Sequence, residues 1–467
     1  MERPTSRIAS AIRLALLSAA IALVVAPAAS ARDAIGFNED LIPEYPNWVA
    51  AQSAAGASST RLTLSWQRLE QAKDHIDGQL LQQHLNAYYE LRRHGIRPLY
   101  TLAFAPDWAR GTPEAVACGN TNNCTFPPGP EFDDQWAEFV RAMALTFPEA
   151  DFEIWNEPNG IFWQGGHDPK RYAQLVTIAH QQIKSVSPSS KVVICGCSSP
   201  VNDTATDLRF DRFIDLAHYH WPQLANSFDA FSYHVYPQAS GGNPRRAAKH
   251  YLGPKSYFGQ MQKRAQAVLA RHGAGSKPIL ITELGYWTLP YQPFGLTEKQ
   301  QARAYIQTIR KVRSSKALAG LYFHRGFDQS RVPPTSRQRA IGVLRTDSTA
   351  KPAFCRMVIL NVSRHRGCKA YRIKLTEVDR RKGKTVVKWR SNGPEARYWC
   401  KPPGSHWRPC KPTRTLPPKA RSIEVAGQSI HGTVSRPFKL KINKFDKGNR
   451  KGNGKGNGKG NRKGKNR

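Results

Sequence analysis

Two short stretches of this sequence each place a carboxylate where chemistry is done: Trp155-Asn156-Glu157-Pro158-Asn159 and Ile281-Thr282-Glu283-Leu284-Gly285. Each glutamate follows a short apolar run of strand character, at the end where the loops of a parallel sheet converge. Two carboxyl groups facing one cleft suit cleavage of a glycosidic bond. One protonates the departing oxygen, while the other either attacks the anomeric carbon or activates water. The acid needs a raised pKa and its partner must stay ionised, so their surroundings must differ. Asn156, directly before Glu157, is placed to hydrogen-bond a sugar hydroxyl, and Tyr236 in Ser232-Tyr233-His234-Val235-Tyr236 is placed to hold Glu283 as an anion. A lone Glu in either setting would read as a helix-start or salt-bridge residue; the pair in these two contexts points to catalysis.

The elements that must position this pair are legible in the hydrophobic pattern. Between residues 33 and 366 short apolar runs alternate with longer amphipathic ones, the pattern of repeated βα units. Strands are expected at 34–37, 61–65, 97–104, 151–155, 191–195, 230–235, 278–282 and 319–323. Leu81, Leu85, Tyr88 and Leu91 share one helical face, Thr297-Glu298-Lys299-Gln300 forms a capping box, and Asp168-Pro169 supplies an N-cap and a first-turn proline. Eight strands and eight helices in about 330 residues predict a (β/α)8 TIM barrel. An open doubly wound sheet would carry a glycine-rich phosphate turn after the first strand, and Gly36 stands without the other glycines.

With strands and glutamates placed, the motifs resemble clan A glycoside hydrolases, and most closely the family 39 type that includes secreted exopolysaccharide-degrading enzymes. The resemblance rests on Asn156-Glu157-Pro158, on Glu283, on His234-Val235-Tyr236 and on Arg61 in Arg61-Leu-Thr-Leu-Ser-Trp66. Further matches are Ala105-Pro106-Asp107-Trp108-Ala109 and Phe162-Trp163. It implies a retaining double displacement with Glu157 as acid/base and Glu283 as nucleophile, with Asn156, His234, Tyr236 and Arg61 binding substrate and no metal or organic cofactor. The eighth strand departs from the family: a Trp floor to the sugar site is replaced by Leu321-Tyr322-Phe323-His324-Arg325, and Phe323 or Trp287 is expected to substitute.

Sugar rings stack on flat aromatic faces. Trp66, Trp108, Trp163 and Trp287 all end or follow strands on the active face and are candidates for such platforms, with core packing as the alternative. The loop 110–136 is expected to wall the cleft, stapled if Cys118 pairs with Cys124.

The chain has 467 residues and a formal net charge of +36. From Arg356 onward there are 32 basic and 5 acidic residues, a balance of +27 that leaves only +9 for the body. Such an end attracts anionic polymers, with an attraction that salt weakens. An anionic cell-wall polymer or polysaccharide fits this charge; nucleic-acid binding would suit it too but explains none of the barrel. Arg3, Arg7 and Arg13, the apolar run Leu14–Val25 and Ala29-Ser30-Ala31 read as a signal peptide over 1–31, so the mature protein is expected to be secreted or held at the cell surface, without a membrane span. Export permits disulfides. Sequence proximity suggests Cys118 with Cys124, Cys195 near Cys197, Cys355 with Cys368, and Cys400 with Cys410; the spacings do not suit zinc.

The expected organisation is therefore a catalytic barrel over 32–366, a small β-sandwich over 367–443 and a Lys/Gly/Asn-rich disordered tail over 444–467. Arg397-Tyr-Trp-Cys400, Ser405-His-Trp-Arg-Pro-Cys410 and Ile423-Glu-Val-Ala-Gly427 resemble an immunoglobulin-like module. The competing reading is an inactive glycan-binding surface protein held by its basic tail.

Overall fold

The computed structural model describes residues 34–43, 48–121, 123–290, 295–330, 332–333, 335–346, 349–361, 373–381, 383–391, 395–404, 408–429 and 438–442. The signal-peptide, Cys368 and tail assignments lie outside them. The chain divides into two compact units, one holding the residues through Thr346 and the helix Pro352–Asn361, the other the strands from Ile373 onward.

In the first unit eight parallel strands close into a barrel in sequence order: β1 Ala34–Glu39, β2 Ser59–Ser65, β3 Arg97–Ala103, β4 Asp151–Ile154, β5 Val192–Cys197, β6 Ala230–His234, β7 Ile279–Leu284 and β8 Leu318–His324. All eight expected strands are present. Four end later than the apolar pattern suggests, because Glu39, Cys197, Glu283 and His324 still carry ladder pairing and so extend β1, β5, β7 and β8. Gly36 has a packing role: a Cβ there would meet the Ser59 carbonyl at 2.5 Å and the Tyr322 ring at 2.8 Å.

The helices follow their sequence signals. Gly78–Arg93 buries Leu81, Leu85, Tyr88 and Leu91; Asp168 caps Pro169–Val186; and Thr297 with Gln300 forms both halves of a capping box on Glu298–Arg313. Inside the barrel, Leu99, Val193, Ala230 and Tyr322 form an apolar cluster. Two residues further along β3 and β6 the interior turns polar, where Thr101 and Ser232 hydrogen-bond Glu153. That change marks where the apolar core ends and the site begins.

The second unit holds β9 Ile373–Arg381, β10 Lys384–Ser391, β11 Glu395–Lys401, β12 Arg408–Cys410, β13 Thr413–Leu416, β14 Ser422–Ser429 and β15 Phe438–Lys441, arranged as a three-stranded antiparallel sheet, β13-β10-β9, and a four-stranded one, β12-β11-β14-β15. They enclose Val387, Trp389, Ile423, Val425 and Ile442. Trp389 is thus core; the Trp399 side chain and Trp407 lie outside what is described. The sequence pattern missed the strands Arg408–Cys410 and Thr413–Leu416, since prolines and basic residues break their alternation. Disulfides join Cys118 to Cys124, Cys195 to Cys197 and Cys400 to Cys410. Among the described residues no helix is long and apolar enough to cross a membrane.

Candidate active site

Strand register builds the site. Asn38 on β1 lies opposite Arg61 on one side and His324 on the other, and His234 on β6 lies opposite Glu283 on β7. Neighbouring C-terminal strand ends therefore place Glu283 among donors. Arg61 Nη1 donates to Glu283 Oε1 at 2.9 Å, Asn38 Nδ2 to the same oxygen at 3.1 Å, and Tyr236 Oη to Oε2 at 2.7 Å. Burial alone would raise the Glu283 pKa, but His234, His324, Arg61 and the Tyr236 hydroxyl outweigh it and hold the carboxylate well below the ordinary range. These donors favour its anionic form.

Arg61 is buried, and it ties four groups together. Besides Glu283 it reaches Glu153 at 2.6 Å, Asn38 at 2.8 Å and Asn156 at 2.7 Å. Asn156 is thereby fixed through its side-chain oxygen. Beyond β4 the chain takes left-handed backbone at Trp155 and again at Glu157. Side-chain-bearing residues seldom adopt that conformation, and it tends to concentrate at functional sites. Glu157 Oε1 lies 2.7 Å from His234 Nδ1, which is 3.6 Å from Glu283 Oε2. Burial disfavours a charge on His234, but Glu283 and the hydrogen bond to Glu157 outweigh it and raise the imidazole pKa. One atom each from Glu157, His234 and Glu283 lie within 4.8 Å of one another.

That set, and a second of Asp40, Glu283 and His324, are the groups with metal-ligand character among the described residues. Both depend on Glu283, whose oxygens already accept from Arg61, Asn38 and Tyr236. A cation there would sit against the guanidinium, so the donor set favours a neutral guest with hydroxyl groups.

Three of the four candidate tryptophan platforms are corrected. Trp66 is fully buried, stacked on Phe139 and donating to Glu70; Trp163 packs on Trp155 and Tyr172; Trp287 is buried under the Arg337 guanidinium. Their apolar faces are used by the core, leaving none for a sugar. Trp108 is half-buried, edge-on to Trp66 and donating to the Glu70 carbonyl. Phe323 is core as well, against Tyr305 and Phe37, so neither it nor Trp287 floors the site. His324, the residue after Phe323, lies 2.9 Å from Asn38 Nδ2 and 3.9 Å from Glu283.

The sequence reading missed Asn38, Asp40 and His324. Asp40 takes the Arg325 guanidinium and the Asn38 amide. The visible signal was the polar run Asn38-Glu39-Asp40 at the end of an apolar strand. The 110–136 loop is organised by buried Arg110, which donates to the carbonyls of Ala105, Ala115 and Cys124 and to the Gln67 side chain.

Glu39 is fully buried beside Arg325 and accepts from Gly326 N–H and Gln52. Burial, only partly opposed by Arg325, pushes its carboxyl up to about 7. An acid raised above its unfolded value adds stability at low pH that is lost as the pH climbs from about 4.5 to about 7, here about 3 kcal/mol. Melting curves between pH 4 and 8 should show wild type gaining on Glu39→Gln as the pH falls. A constant difference between the two proteins would refute this.

No family model matches the sequence. Among solved structures, the chain is similar to the GH39 enzyme from Xanthomonas axonopodis pv. citri, with 16% identity, a TM-score of 0.51 and 80% of each chain covered. It is similar to the exo-β-1,4-mannosidase from Opitutaceae bacterium strain TAV5, with 15% identity and a TM-score of 0.50 over 70% of this chain and 59% of that one. A third is GH5_18 from Streptomyces cattleya in complex with GlcNAc, with 15% identity and a TM-score of 0.50 over 73% of this chain and 82% of that one. At these identities the likeness establishes one thing: the first unit shares the (β/α)8 barrel fold of these glycoside hydrolases.

Proposed function

We propose that the protein is an exported retaining glycoside hydrolase that cleaves a β-linked polysaccharide or oligosaccharide. The observation that carries this reading is the pair of facing carboxylates, close together yet unlike in setting. Retaining enzymes hold their carboxyls about 5–5.5 Å apart, inverting ones about 6.5–9.5 Å to admit a water. One oxygen of Glu157 and one of Glu283 lie within 4.8 Å of each other, both beside His234, a close approach that fits the shorter class better than the longer. Glu283, held anionic by Arg61 and Tyr236, attacks the anomeric carbon while Glu157 gives its proton to the leaving oxygen. Glu157, now a carboxylate, then takes a proton from the water that frees the sugar, with the His234 hydrogen bond steadying it in both steps.

Reducing-end release should be measured on β-glucans, xylans, mannans and acidic exopolysaccharides, together with labelling by 2-deoxy-2-fluoro glycosyl fluorides. Release from one glycan class and a label on the peptide bearing Glu283 are expected. Sugar binding with neither release nor label would transfer the argument to an inactive glycan receptor.

The basic end, +27 from Arg356 onward, is read as a dock for an anionic cell-wall polymer or polysaccharide. Retention on immobilised alginate should fall with rising salt and weaken when 444–467 is deleted, with glycan hydrolysis unchanged. Equal retention of the two proteins would remove the tail from this role.

A further inference from the structure

β5 ends in Cys195-Gly196-Cys197, closed by a disulfide across a single glycine, both cysteines fully buried. Here the pairing of β5 with β6 breaks register, between Ile194 and Cys197. Cys195 and Gly196 both take left-handed backbone, with φ of 87° and 46°. Cysteine holds that conformation only where its surroundings over-determine it. The surroundings here are the cross-link, the Tyr172 hydroxyl that accepts from Cys195 N–H at 2.7 Å, and the Ser232 hydroxyl that accepts from Gly196 N–H at 2.8 Å. The resulting turn leaves the Gly196 carbonyl aimed at the loop beyond β4, where it accepts the Glu157 N–H at 3.0 Å. The glycine suits the site: its φ is left-handed, and a Cβ there would lie 3.1 Å from the Glu153 carboxylate, closer than ordinary contact.

We infer that the Cys195–Cys197 disulfide is a positioning device for Glu157, locking the bulge whose central carbonyl anchors that residue's backbone. This rests on the reading of Glu157 as the acid/base. With the cross-link gone, Cys195 is free to return to ordinary extended backbone and the carbonyl swings away from Glu157. The two cysteines touch no substrate; they act through Glu157.

A displaced acid/base has a signature that general loosening lacks. Protonating the leaving oxygen matters for a poor leaving group and hardly at all for an activated one. The Cys195→Ala/Cys197→Ala variant is therefore compared with wild type and Glu157→Gln on phenyl and 2,4-dinitrophenyl β-glycosides of the sugar that the glycan panel selects. For the phenyl glycoside, kcat/KM should fall about 10- to 100-fold. For the dinitrophenyl glycoside, kcat/KM should stay within about twofold, while kcat and KM fall together because water attack on the glycosyl-enzyme lacks its base. Azide, which needs no base, should restore kcat. An equal loss on both substrates, or no loss on either, overturns the inference.

If Glu157→Gln itself shows no dependence on the leaving group, the acid/base assignment fails and takes the inference with it. If only the cysteine variant lacks that dependence, the assignment stands and the inference alone falls. Should the alanine pair fail to fold, the same two substrates are read on Cys118→Ala/Cys124→Ala protein before and after phosphine reduction, with alkylation and mass mapping of Cys195 and Cys197.

Discussion

Glu283→Gln should lose turnover on any glycan the wild type cleaves, by about 10⁴-fold or more, with little change in fold. The amide cannot attack the anomeric carbon, and no other carboxylate replaces it, since Glu153 is held by Arg61, Thr101 and Ser232. The substitution is also mild structurally. It removes a buried charge but keeps an oxygen for Arg61, Asn38 or Tyr236. Binding of the uncleaved glycan should survive, so titration calorimetry with the variant should still give a heat of association. In the truncated Glu283→Ala, added azide should restore turnover of an activated aryl glycoside and invert product stereochemistry, because a small nucleophile then enters through the space the carboxylate had occupied. Turnover within tenfold of wild type would remove Glu283 from the nucleophile role.

Arg61→Met should be the most destabilising single change in the site. Burial works against the guanidinium's charge, but Glu153 first and Glu283 next outweigh it and raise its pKa above the usual value. Methionine would leave two buried carboxylates without their cation, a loss of about 3–5 kcal/mol. Urea denaturation followed by tryptophan fluorescence should show the midpoint fall accordingly. Arg61→Lys should recover only part, because a point charge cannot span Glu153, Glu283, Asn38 and Asn156 as a planar fork does. Adding Glu153→Gln to Arg61→Met should regain stability. If the midpoint of Arg61→Met matches wild type, the ion network is not what holds these strand ends together.

The barrel was legible because its strands are short apolar runs and several of its long helices carry a side-chain cap, as at Asp77, Asp168 and Thr297. Glu157 and Glu283 were legible for a related reason: a carboxylate that ends an apolar strand has few structural uses. The tryptophans misled. Trp66, Trp163 and Trp287 occupy the right positions along the chain, but whether a ring faces solvent or core depends on helices such as Asp133–Thr146 packed outside the sheet. No local pattern encodes that. Asn38 and His324 were missed because β1 and β8 meet only when the barrel closes, so the contact between them joins the first strand to the last. The hairpin β9–β10 was seen only in part, since charged residues cover its outer face and hide the alternation.

The groups that touch Glu283 sit on strands or within two residues of a strand end: Asn38, Arg61, His234, Tyr236 and His324. The surrounding loops, including the one stapled by Cys118 and Cys124, contribute none of those contacts. The charge of Glu283 is thus held by the strands and their ends alone. An engineer could replace the 110–136 loop and expect Glu283 to keep every contact that holds its charge.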